Sequence, residues 1–325
     1  MKLLCIDVGG TSVKHSIIES GLNICEKGIY NPDSENLDSY VESLGQLCDR
    51  YIGSVDGVAF SMPGIVDPKS GYFYTGGAYD RFIHEINLKD LLEKRIGKPI
   101  SVENDAKAAG YAELGYGALK DVKDGVVITL GHAVGGCLIY NHEVVHGRHF
   151  SAGELSFINT DYHYADFETS LGYRCGADCL RKRVQEKLGS DIEYKGYEIF
   201  AMANDGNEKV LEALKEFVYE LCVQLYNLQI VFDPELIALG GGISAQKLLY
   251  ELIDECFLEM KGRMRFFVRK PQIVPCAFGN DANMIGAYHS FCLLHKDEEF
   301  KEKRGKANII KKVRIKDDPD MKGYI

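Results

Sequence analysis

Three times in this chain a short apolar run breaks on glycine. Residues 3–7 lead into Val8-Gly9-Gly10-Thr11, residues 125–130 into Gly131-His132-Ala133-Val134-Gly135-Gly136, and residues 236–239 into Gly240-Gly241-Gly242. Glycine directly after a strand lets the backbone turn at positive φ and brings N–H groups close to a bound anion. The first two turns are each followed by further apolar runs, at 13–18 and 24–30 and again at 136–140 and 143–145, which predicts hairpins and a diverged internal duplication. Any one of them could be a tight turn and no more. Three together, one beside Asp7 and two carrying Thr11 and Thr129, point to phosphate, with Asp7 placed to hold Mg²⁺. No G-x-x-x-x-G-K-[ST] is present, and no G-x-G-x-x-G opens a helix after the first strand, which excludes the two commonest nucleotide-binding loops.

Between these turns the hydrophobic spacing alternates strand and helix. Leu37, Tyr40, Val41, Leu44 and Leu47 recur at helical period over 36–53, and Leu211, Leu214, Val218, Leu221, Leu225 and Leu228 form the stripe of a long helix over 210–232. Helices are also expected over 88–95, 106–116 and 280–294, and one after Ser244 as N-cap. Strands are expected over 56–61, over 100–102 and near Ile273. The formal charge of −10 argues against a nucleic-acid backbone as partner. Residues 296–325 hold ten basic and seven acidic side chains and predict a solvated appendage, which leaves −13 on the rest. An anion must then be held by local turns, helix N-termini and a metal ion, not by general attraction. No run approaches the roughly 18 apolar residues of a membrane span, and no signal segment opens the chain. The ten cysteines are accordingly expected to be reduced thiols in the cytoplasm, with no membrane partner.

In order, Asp7-x-Gly9-Gly10-Thr11, Ser61-Met62-Pro63-Gly64-Ile65-Val66-Asp67, Glu103-Asn104-Asp105-Ala106, Gly153-Glu154 and Leu239-Gly240-Gly241-Gly242 resemble the ROK family over about residues 3–294. That family comprises bacterial sugar kinases and sugar-responsive repressors; the likeness is strongest to its glucokinases and β-glucoside kinases that lack a zinc motif. The resemblance implies an α/β, actin-like (ribonuclease H-like) ATPase fold of two lobes around a cleft. Residues 1–105 with 283–295 would form one lobe and 106–282 the other, with 296–325 as a charged tail. It implies ATP and Mg²⁺, a small-molecule sugar and a homodimer. Transfer of the γ-phosphoryl group to a hexose or hexoside hydroxyl, O6 of glucose or of a β-glucoside, would use Asp105 as base. Asn104 and Glu154 would bind the sugar, with Ser61, Gly64 and Gly77 lining the same cleft. Asp7, Gly9, Gly10, Thr11, Thr129, Gly131 and Gly135 would meet the phosphates, and Gly241 and Gly242 the adenosine. Bland readings stand beside these: Asn104-Asp105 as a helix cap, and Glu154 as a solvated loop acid. A sugar-sensing regulator would carry a winged-helix module ahead of a strand that here begins at Leu3, and a catalytically idle sugar-binding homologue is the further alternative.

The chain also departs from the family pattern. Where many members have Glu-x-Gly-His, Glu154 is followed by Leu155-Ser156-Phe157, and Cys175 and Cys179 lack a third thiol nearby. A tetrahedral zinc needs four N or S ligands, so no structural zinc is expected, and packing of Phe157, Phe167 and Leu171 is expected to hold the region. In zinc-bearing relatives that His also touches the sugar near its anomeric end, so the resemblance implies that Phe157 removes a donor there and adds an apolar wall, which predicts tolerance of a substituent at O1. In the second turn His132, Ala133 and Cys137 replace a Thr and two Gly, which leaves His132 as a candidate to face the γ-phosphate.

Overall fold

The computed structural model describes residues 1–10 and 12–304, the side chains of 296–304 excepted. The chain opens with β1 (Lys2–Val8) and β2 (Val13–Glu19), antiparallel from Lys2 opposite Glu19 to Val8 opposite Val13, followed by β3 (Asn23–Tyr30). Helix α1 (Leu37–Asp49) is opened by Asn36, whose side chain accepts from Ser39 N–H. β4 (Gly57–Met62) returns parallel to β1. A small sheet not foreseen from the spacing follows, built of β5 (Ile65–Asp67), β6 (Tyr72–Thr75) and β7 (Ile86–Asn87). Then come α2 (Leu88–Ile96) and β8 (Ile100–Asn104), which completes a five-stranded sheet of order β3-β2-β1-β4-β8.

Helix α3 (Asp105–Tyr116) leads to the second large sheet. Its strands are β9 (Gly125–Leu130), β10 (Val134–Tyr140), β11 (Glu143–Val144), β12 (Leu236–Gly241) and β13 (Ile273–Pro275), in the order β11-β10-β9-β12-β13. Both sheets are an antiparallel three-strand meander with two parallel strands added to its first strand. The duplication read weakly in the sequence is therefore a duplication of topology. Between β11 and β12 lie α4 (Leu171–Arg174), α5 (Ala177–Leu188), α6 (Gly196–Asn204) and α7 (Glu208–Phe232), and α8 (Lys247–Arg263) and α9 (Ala282–Arg304) close the described chain.

Each sheet has its own buried cluster, and a third joins them. That third cluster takes Leu3 and Cys5 from β1, Val127 from β9, Ala109 and Ala112 from α3, and Ile285 and Phe291 from α9. Small residues let α3 and α9 approach closely: a Cβ at Gly286 would overlap the carbonyl oxygen of Ala108.

Two expectations need correction. Ser244 does not cap α8; Gln246 stands at that position, and Ser244 Oγ instead donates to Gly241 O at 2.9 Å, tying the glycine turn. Residues 296–304, expected as appendage, continue α9, because nothing in Lys296-Asp-Glu-Glu-Phe breaks a helix; the rest of the predicted tail, 305–325, lies outside the described residues. The long helix α7 does end at Asp233, which turns at φ 49° and takes a hydrogen bond from Gln229 Nε2 at 2.6 Å. Among the described residues no helix is long and apolar enough to cross a membrane.

Candidate active site

The end of β8 sets the chemistry. Asn104 is buried and caps α3: its Oδ1 accepts from Lys107 N–H at 3.0 Å, and its Nδ2 donates to Gly64 O at 2.9 Å and Asp105 Oδ1 at 3.2 Å. Capping and site-building are thus the same act, since the cap frees Asp105 to stand as the first helical residue, where the N–H groups of α3 point at it. Gly64 can take part only as glycine; it turns at φ 110°, and a Cβ there would overlap Thr75 O.

Burial pushes the Asp105 carboxyl up to about 6; the Ala106 N–H, at 2.8 Å, pulls it back, the carboxylates of Asp7 and Glu154 push it further, and Lys107 lowers it. A general base must be unprotonated to act. With Asp105 as that base, kcat/KM is expected to be flat above about pH 7 and to fall roughly tenfold per pH unit below about pH 6, as checked by a kcat/KM–pH profile.

A cavity of about 230 Å³ lies between the two sheets, lined by Asp7, Lys14, Asp105, Thr129, Gly131, Gly240, Gly241, Asn280 and Asn283 among others. Asp7 Oδ1 accepts from Ser61 Oγ at 3.1 Å and Asn283 Nδ2 at 2.9 Å. Burial raises the Asp7 carboxyl above its ordinary value, and these two hydrogen bonds and Lys14 offset part of that. Ser61, expected to line the sugar cleft, is wholly buried and serves Asp7 instead. The first glycine turn is closed by Gly9 N–H to Ser12 O at 3.0 Å, and Tyr79 Oη donates to Gly9 O at 2.7 Å; Thr11 lies outside the described residues. Gly131 N–H bonds Ala133 O at 3.0 Å. A Cβ on Gly135 would overlap Thr129 Oγ1, and one on Gly241, at φ 94°, would overlap Leu130 O. Gly10 and Gly242 are exposed, with open space where side chains would stand. This cradle fits a polyphosphate, and Asp7 Oδ2, which accepts no hydrogen bond from the described residues, fits a hydrated cation. His132 is not there: it is exposed, sits 3.1 Å from Asp178 Oδ1, and lines a different cavity.

Glu154, whose charge reaches Asp105, accepts from Lys107 Nζ through Oε1 at 2.8 Å. Glu154 shares a cavity of about 560 Å³ with Ile65, Thr75, Ser151, Phe157 and Ile158. A second cavity, about 850 Å³, shares Phe157 and is walled further by Gly77, His132, Phe167, Tyr173 and Lys182. Phe157 and Phe167 do not hold the region by packing as expected: they are 75% and 76% exposed. The one-turn helix Leu155–Phe157 sends Leu155 into the core and Phe157 outward, and Leu171 provides the other buried anchor. Phe167 meets Tyr173 edge-on at 5.5 Å. Cys175 is buried, and Cys179 Sγ lies 3.3 Å from Arg183 Nε. Sequence reasoning missed Lys14, Lys107, Asn283 and Tyr173; only Lys107 left a trace, as a charge among the small residues that open α3.

Twin sheets of this topology, with glycine turns converging on Asp7 and Asp105, define an actin-like ATPase fold. The ROK family model matches residues 3–293. A β-glucoside kinase of Listeria monocytogenes is 33% identical over 297 residues, 90% of this chain and 97% of that protein. A β-glucoside kinase of Klebsiella pneumoniae is 29% identical over 302 residues, 92% of this chain and 99% of that one. Among solved structures, a ROK family protein from Streptococcus pneumoniae in complex with sucrose superposes with a TM-score of 0.81 at 26% identity, covering 91% of this chain and all of that one. The chain belongs to the ROK family.

Proposed function

We propose that this protein transfers the γ-phosphoryl group of ATP to O6 of a glucoside carrying a substituent at O1, in preference to free glucose. It is an ATP-dependent carbohydrate kinase; the proposal concerns the acceptor and the residues that serve it. The observation that carries it is the aromatic cavity walled by Phe157, Phe167 and Tyr173, which opens beside the cavity holding Glu154. A hexose ring bound at Glu154 would lie against Phe157, and the 850 Å³ beyond would take an aglycone or second ring. The sucrose-bound relative and the two β-glucoside kinases support the same choice.

In this reading Asp105 accepts the proton of the attacking hydroxyl as the phosphoryl group is transferred, while Asn104 and Glu154 orient the ring. Mg²⁺, held beside Asp7, would supply charge neutralisation at the phosphates. Lys14, the α3 N-terminus and the turns at Gly9-Gly10, Thr129–Gly131, Gly135 and Gly241-Gly242 would cradle the phosphates and adenosine. Residues 1–105 with 283–295 and residues 106–282 would act as lobes that close about the α3–α9 contact and exclude water. The protein would work as a cytoplasmic homodimer.

Truncating the wall separates the acceptors. Phe157→Ala is expected to lower kcat/KM for phenyl β-glucoside by about tenfold while changing that for glucose less than about threefold. Equal turnover of glucose by the wild type with none of any glucoside would overturn the proposal.

A further inference from the structure

Lys107 is the most deeply buried cation near the reaction centre, with its side chain 1% exposed, and among the described residues its Nζ has one hydrogen-bond partner, Glu154 Oε1 at 2.8 Å. Burying an ammonium costs several kcal/mol, offset here by one hydrogen-bonded carboxylate, itself partly open to solvent, and by the charge of Asp105 nearby. Cys137, packed alongside on β10, offers no compensation: burial pushes its thiol up to about 12, so it stays neutral. Apolar groups in place of both partners would serve the fold at least as well. Besides holding the Asp105 carboxyl down a little, what the lysine does that methionine would not is fix Glu154.

The backbone of Glu154 is already set. Gly153, at φ 80°, packs against Gly136 O, Leu155 is anchored in the core, and Leu155 N–H bonds Gly153 O at 2.7 Å. The side chain is then the remaining freedom, and a Glu has three rotatable bonds to hold. We infer that Lys107 is a positioning residue for the sugar: by holding Oε1 it aims Oε2, which accepts no hydrogen bond from the described residues, into the 560 Å³ cavity as a preset acceptor for a ring hydroxyl. Because Lys107 lies two residues beyond Asp105 on α3, the same helix turn registers the sugar against the base. This inference rests on the proposed function, in which Glu154 binds sugar.

The test is calorimetric binding of phenyl β-glucoside, without nucleotide, to the wild type, Lys107→Met, Glu154→Gln and the double variant, together with steady-state kinetics and thermal melts. Lys107→Met is expected to weaken binding about tenfold and to raise KM for the glucoside alike, with KM for ATP within about twofold. Lys107→Met strands the Glu154 carboxylate, so its melting temperature should fall, and the double variant, from which both charges are gone, should recover most of that loss. The double variant should bind no more than about twofold worse than the weaker single variant, since both changes remove one device. Lys107→Gln replaces Lys107→Met should the latter not fold. If Glu154→Gln weakens binding and Lys107→Met does not, or if the two losses multiply, the positioning role is wrong while the sugar site stands. If Glu154→Gln also leaves binding unchanged, the placement of sugar at Glu154 fails first.

Discussion

Asp105→Asn is expected to lower kcat by about a thousandfold or more while the protein becomes more stable, not less. The kinetic half follows from the base: an amide at the head of α3 cannot accept the hydroxyl proton. Asn retains the oxygen that takes the Ala106 N–H and the contact with Asn104 Nδ2, so sugar binding should persist. The stability half follows from linkage. Burial first of all, with Asp7 and Glu154 adding, puts the folded Asp105 carboxyl at about 6, above the roughly 3.9 of an unfolded chain. The folded state therefore binds the proton more tightly, and stability from this group is present below about pH 4 and lost as pH rises through 6. At pH 7 the wild type bears the cost of an ionised carboxylate that the Asn variant lacks. A rise in Tm of about 2–5 °C is expected for the variant at pH 7, vanishing near pH 4. Parallel kcat measurements and melts at the two pH values check both halves. A variant that loses activity by losing stability would show that Asp105 is merely structural.

The second large effect is expected far from the chemistry. Gly286→Ala should cost about 3 kcal/mol, a fall in Tm of roughly 4–6 °C, because the added Cβ meets the carbonyl oxygen of Ala108 on α3 and neither backbone can move alone. Activity should fall beyond what unfolding explains, since α3 carries Asp105 and Lys107. Gly262→Ala, on α8 with open space at the Cβ position, is the matched control and should be neutral or stabilising by up to about 1 kcal/mol. Thermal melts with kcat at 25 °C distinguish the two. Equal behaviour of the two variants would mean that the α3–α9 contact yields easily and does not set the geometry between the sheets.

The glycine turns of the candidate phosphate cavity were legible because glycine leaves a mark in sequence. Gly64 and Gly241 turn at φ values other residues rarely adopt, and Gly135 leaves the space that Thr129 Oγ1 fills, so each is a backbone requirement written as a residue type. The place of Asp105 was legible for a related reason: a strand ending in Asn-Asp before small residues is a helix start, and here that start lines the cavity between the sheets. The sugar side was not legible in the same way. Whether Phe157 points inward or outward is decided by one turn of helix that commits Leu155 to the core, and aromatic residues give no sign of which way that goes. Ser61 was misplaced because alternation along β4 fixes its face but not whether Asp7 waits there to receive its hydroxyl. The Lys107–Glu154 pair spans 47 positions, a separation no local pattern can register.

The central claim is that a glucoside bound between Glu154 and Phe157 is phosphorylated with Asp105 as base. Its most direct measurement is release of ADP from Mg-ATP across a panel of free hexoses, aryl and alkyl β-glucosides, disaccharides and N-acetylated amino sugars, with Asp105→Asn as control. The account predicts stimulation by β-glucosides well above that by glucose, with a product phosphorylated at O6 and no stimulation in the variant. Failure of every sugar to stimulate ADP release, or stimulation that survives Asp105→Asn, would contradict it.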